Sequence, residues 1–105
     1  MSEILRRVRM LVGRGAVRIS RHGLRELAAD DIDLEDVLAG LPAAIPVEEY
    51  ATGRMEPSVL ILQSDRIGPI HVMWGVPKAT GTPAVLVTAY RPDPERWSPD
   101  FTRRK

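Results

Sequence analysis

A chain of 105 residues is expected to form one domain, spanning 1–105, with room for one modest core, and its 44% hydrophobic content is too high for a disordered polymer. No apolar run is long enough to cross a membrane, and the opening MSEILRRVRMLVGRG is amphipathic rather than continuously apolar, so neither a span nor a secretory signal is expected, and the expected location is the cytoplasm. Without cysteine there is no disulfide or thiolate chemistry; two histidines and carboxylates alone suggest no metal site, and no cofactor is expected.

The formal net charge is only +1, but it is unevenly spread: Arg6, Arg7, Arg9, Arg14, Arg18, Arg21 and Arg25 all fall within the first quarter of the chain. The acids gather between Asp30 and Asp36 and at Glu48, Glu49 and Glu56. A basic field of this kind suits an anionic partner, such as nucleic acid or an acidic protein.

In chain order, Ser2 is placed to cap a first helix, with Glu3 in its first turn and Ile4, Leu5, Val8, Leu11 and Val12 on one face. Gly13 and Gly15 end it. AVRIS is β-branched and reads as a brief strand or extended link, Val17–Ser20. Ser20 then caps a second helix, Arg21 to Ala29, whose apolar stripe is Leu24, Leu27 and Ala28; His22, Arg25 and Glu26 project from the other side. Asp33 caps a third, with Leu34, Val37, Leu38 and Leu41 as core candidates.

Beyond Pro42 the texture changes. AIPVEEYA, PSVLILQSD, PIHVMWGVP and AVLVTAYRP are short segments rich in β-branched and aromatic residues, separated by turn signals in TGRMEP, DRIGP and PKATGTP. They predict an antiparallel meander. Alternation puts Ile70, Val72, Trp74 and Val76 on one face and His71 and Met73 on the other; it puts Leu86, Thr88 and Tyr90 on one face. Hairpin pairing would then bring His71 within reach of Thr88 or Tyr90. In the polar tail, Trp97 and Phe101 are expected to fold back onto the domain. The expected core includes Val8, Leu24, Leu60, Leu62, Val72, Trp74 and Leu86.

No standard catalytic motif is present. What remains is a set of polar groups: His22 and Arg25 on the second helix, Glu48, Glu49 and Tyr50 in the first strand of the meander, His71 in the third, and Tyr90 and Arg91 at the end of the last. Imidazole, phenol, carboxylate and guanidinium are the groups that metal-free RNA cleavage needs: a base, an acid and a phosphate clamp.

ISRHGLRELAADDIDLEDVLAGL, EEY, PIHVMWGV and VLVTAYRPDPERW together resemble a bacterial family known only as a domain of unknown function. Its pattern is a short strand, His-Ala-x-x-Arg-Met, a helix, Pro-hydrophobic-His-Val-Val and a closing Val-x-Thr-x-Tyr-x-Pro-Asp-x-x-x-Trp; the likeness runs from about Val17 to Trp97. Here Gly23 stands for the usual alanine, Leu27 for a common methionine, and Asp31 for a frequent arginine. The family is similar in layout to RelE- and BrnT-like small toxins, most of them ribonucleases. That resemblance implies an α+β, RelE-like layout and contact with RNA.

The expectation is therefore an α+β fold, with two or three N-terminal helices on a four-stranded, mainly antiparallel sheet. The leading functional expectation is a toxin-like, metal-independent endoribonuclease paired with a small antitoxin-like protein. His22, His71 and Tyr90 are its acid–base candidates, and Arg21, Arg25, Arg91 and Glu49 its substrate-binding candidates. The alternative is a non-catalytic module that recognises a protein or a small anion. The two differ in convergence: an enzyme needs these groups together, whereas a module tolerates them apart.

Overall fold

The computed structural model describes residues 2–51 and 56–105, so the turn expected at 52–57 lies largely outside the described residues. Helix α1 (Glu3–Gly13) begins where the Ser2 hydroxyl accepts the Leu5 N–H, and it buries Leu5, Val8 and Leu11. Strand β1 (Val17–Ile19) follows, then helix α2 (Arg21–Ala29), capped by Ser20, and helix α3 (Leu34–Gly40), capped by Asp33. A single 3₁₀ turn at Leu41–Ala43 leads into strands β2 (Ile45–Tyr50), β3 (Ser58–Ser64), β4 (Pro69–Gly75) and β5 (Ala84–Tyr90). The fold is α+β.

The sheet has five strands rather than four, in the order β1-β5-β4-β3-β2, and it is mixed. The meander β2–β5 is antiparallel as expected, but β1 joins the outer edge of β5 in parallel. The brief strand forms because β5 would otherwise present an open edge: β1 covers Ala84 to Leu86, and Ser20 donates its N–H to Leu86 O.

The three helices lie on one face, over Val59, Ile61, Ile70, Val72, Trp74, Leu86 and Ala89, and Trp74 is fully buried there. Two core expectations fail, one at this interface and one on the opposite face of the sheet. Leu24 is 55% exposed, and the buried face of α2 is Gly23 and Leu27. The helix is turned by about one residue because Gly23 sits directly on β5; a Cβ there would lie 2.8 Å from Leu86 O. Leu62 is only partly buried, because its neighbours Val59 and Ile61 face the helices and it faces away.

Each outer pair of the meander carries a bulge. In β5, Thr88 pairs with Met73 and Leu86 with Trp74, leaving Val87 unpaired. Leu86 therefore faces the helices, while Thr88 and Tyr90 face the opposite side; the three do not share a face. In β2 the shift between Pro46 and Glu48 leaves Val47 unpaired. As a result Glu48, not Glu49, shares a face with Leu60, Met73 and Thr88.

Candidate functional site

Register alone brings His71 opposite Tyr90 on the sheet face that carries no helix. His71 is nevertheless completely buried, because the chain after β5 folds back over it. Trp97, itself 4% exposed, stacks edge-on against the imidazole at 4.4 Å between ring centroids. The Phe101 carbonyl lies 2.9 Å from Nε2, and the Tyr90 hydroxyl 3.2 Å from Nδ1. A carbonyl can only accept, so Nε2 carries the hydrogen and Nδ1 is the bare nitrogen that accepts from Tyr90. Phe101 holds a positive φ of 63°, which is costly for a bulky residue, in the conformation that presents this carbonyl.

Arg104 continues the cluster. Its guanidinium lies 4.7 Å from the Trp97 ring centroid and grips Glu48 with two hydrogen bonds of 2.7 and 3.0 Å. Glu48 also accepts the Tyr50 hydroxyl. Imidazole, two phenols, a carboxylate and a guanidinium thus meet on one sheet face, where the tail closes over it.

The electrostatics follow from these contacts. The hydrogen bonds from Arg104 hold the Glu48 carboxyl below its ordinary range, and Glu48 in turn raises Arg104. Hydrogen bonding to Glu48 raises the Tyr50 phenol. Burial pushes His71 down and Tyr90 up, so both are neutral at neutral pH. A neutral histidine with a bare Nδ1 is a proton acceptor already aimed at a phenol hydrogen.

The other candidates from the sequence lie elsewhere. His22 is on the surface, with Glu26 3.7 Å away as its ionic neighbour. Arg21 and Arg25 are exposed, and neither has a hydrogen-bonding or ionic partner among the described residues. Glu49 faces the helices and accepts the Ser2 hydroxyl, tying β2 to the start of α1. Arg91 is consumed by the fold: it forms a two-armed bond to Asp65 (3.1 and 2.8 Å) and donates to the Asp30 and Asp31 carbonyls. Of the expected set, the structure joins His71 and Tyr90 and leaves His22, Arg21, Arg25, Arg91 and Glu49 outside their cluster.

Glu48, Tyr50, Trp97 and Arg104 complete the site. Simple alternation misassigns the two glutamates because of the Val47 bulge. Trp97 and Arg104 sit in a tail without periodicity; Trp97 is marked as a large aromatic among polar residues that closes the quoted pattern, and nothing marks Arg104. Among the described residues, no group of histidine and carboxylate side chains has the makings of a metal site, and no helix is long and apolar enough to cross a membrane.

A family model described as a domain of unknown function, DUF4258, matches residues 19–91. The chain belongs to that family. The match runs from the last residue of β1 through β5, and so takes in His71, Tyr90 and Glu48, but leaves out α1 and the tail that covers the site. No curated protein and no solved structure matches the chain.

Proposed function

We propose that this DUF4258 protein is a cytoplasmic, RNA-directed protein of the small-toxin type, a metal-independent endoribonuclease that a small antitoxin-like partner neutralises. The observation that carries this reading is the gathering of His71, Tyr90, Glu48, Tyr50 and Arg104 on the helix-free face. Helices followed by an antiparallel meander, the layout behind the likeness to RelE- and BrnT-like toxins, support it as well.

In this reading a phosphodiester enters beside the part-exposed Tyr90, with the tail still holding Arg104 at the site. The phenol oxygen takes the 2′-hydroxyl proton as its own proton passes to Nδ1 of His71. The 2′-oxygen attacks phosphorus, and the 5′-oxygen leaves, protonated in turn from the same pair. Arg104 turns from Glu48 to the phosphate, where its planar fork offsets the developing charge. His71 is a positioning and proton-storing residue, and Tyr90 touches the substrate.

The test is incubation of the purified protein with unstructured RNA in chelator. The expected result is product ending in a 2′,3′-cyclic phosphate, with loss of roughly 10²-fold or more in rate for Tyr90→Phe and for Arg104→Ala. A second reading, a non-catalytic RNA-binding module, is favoured by one feature: both ring nitrogens of His71 are already satisfied within the protein. RNA that is bound but left intact would decide for the module.

A further inference from the structure

The helix that lies outside the family match builds a second site. Between α1 and the segment after β4 is a cleft of about 540 Å³, within the range of small-molecule sites. Ile4, Met10, Val76 and Pro77 give it an apolar lining. Met10 is 40% exposed, an adaptable thioether presented to the opening rather than to the core.

The rim is cationic. Arg7 donates from Nε and Nη2 to Gly81 O, at 3.2 and 2.9 Å. This fixes the guanidinium on a neutral carbonyl, with no ion-pair partner among the described residues and no hydrogen bond there from Nη1. Gly81 permits the contact: its φ is +70°, and a Cβ there would lie 2.7 Å from Arg7 Nη2. Lys78 is placed by its backbone N–H, which donates to Glu56 at 2.6 Å, and its ammonium has no partner among the described residues. Arg6, by contrast, is matched by Glu3 at 2.8 Å and adds little net charge.

We propose that this cleft binds a small organic anion with an apolar body, of the medium-chain carboxylate class: the chain lies along Met10 and Val76, and the carboxylate meets Arg7 and Lys78. An apolar lining under two cationic side chains with no ion-pair partner among the described residues matches a ligand with one negative end, and it suits neither a neutral lipid nor a bare phosphate. The proposal is independent of the RNA reading, because none of these residues belongs to the His71 cluster.

The test uses the full chain with decanoate, below its micelle concentration, followed by calorimetry and by backbone amide shifts. Decanoate should bind, with shifts centred on Met10, Lys78 and Gly81. The neutral analogue decanol should bind at least about tenfold more weakly, the loss of one charge-assisted contact. Met10→Asp, at an exposed helix position, should weaken decanoate by about tenfold or more. Arg7→Met with Lys78→Met should do the same; if that pair disturbs folding, Lys78→Met alone should still reduce affinity several-fold. The proposal is overturned if decanoate produces no shifts, if the shifts centre elsewhere, if decanol binds as well, or if the folded Met10→Asp chain binds like the parent.

Discussion

Asp65 is held by four donors: both arms of Arg91 and the backbone N–H groups of Ile67 and Gly68. Its side chain is 2% exposed, and the Arg91 guanidinium holds its carboxyl far below the usual carboxylate range. A carboxyl depressed in the folded state contributes stability that is complete above its unfolded value, about 3.9, and is lost as pH falls toward the folded value. Acidification from neutrality to about pH 3 should therefore destabilise the parent more than Asp65→Asn, in urea titrations at each pH. At neutral pH the variant should be the weaker protein, since Arg91 is left without its counter-charge. Parallel losses in the two chains would show that the acid sensitivity resides elsewhere, in Glu48 or in Asp100, which Ser98 and Thr102 lower to about 2. At this scale the sequence could be read only for side chains whose neighbours are local. His71 beside Tyr90 follows from strand alternation and hairpin pairing. The fate of Arg91 depends on a carboxylate 26 residues away in the chain, and no spacing rule reports it.

The elements themselves were largely legible, because their signals are short-range. Ser2, Ser20 and Asp33 each cap the helix that begins beside them. Pro57 precedes β3, Pro69 opens β4 and Pro83 precedes β5, while Gly75 ends β4. What escaped was rotation and register. Nothing in RHGLRELAA distinguishes a helix seated on Leu24 from one seated on Gly23; the choice is made by the backbone of β5. Likewise, one unpaired residue at Val47 exchanged Glu49 for Glu48 at the site, and one at Val87 separated Leu86 from Tyr90. The close approach of α2 can be tested directly. Gly23→Ala would gain up to about 1 kcal/mol in helix propensity, but its methyl meets a backbone oxygen that cannot rotate away, and overpacking of this kind costs about 1–3 kcal/mol. The net expectation is destabilisation in urea, with Leu24→Ala as an exposed control within about 0.5 kcal/mol of the parent. A neutral or stabilising Gly23→Ala would mean that α2 can ride outward.

Over the whole molecule, the arginine excess of the first quarter divides into two groups. Arg6 pairs with Glu3, Arg7 lies on Gly81 O, and Arg9 donates to the carbonyls of Leu41 and Ala44. The helix α1 face is thus partly spent within the protein. Arg14, Arg18, Arg21 and Arg25 are exposed and have no hydrogen-bonding or ionic partner among the described residues. They are carried by the turn after α1, by β1 and by α2, the elements along the β5 edge of the sheet, and β5 ends in Tyr90. If RNA is the partner, this group should carry most of its electrostatic attraction, because each phosphate neutralised by a free guanidinium releases condensed counterions. Four contacts to a single strand correspond to a slope of about −3 in log affinity against log salt. Arg21→Gln with Arg25→Gln should flatten that slope by about 1 to 1.5, whereas Arg6→Gln, which removes a charge already matched by Glu3, should leave it nearly unchanged. The measurement is RNA binding by fluorescence anisotropy at several salt concentrations. An affinity that stays flat with salt, or equal slopes for the two variants, would remove the β1–α2 edge as the path by which an RNA strand reaches Tyr90.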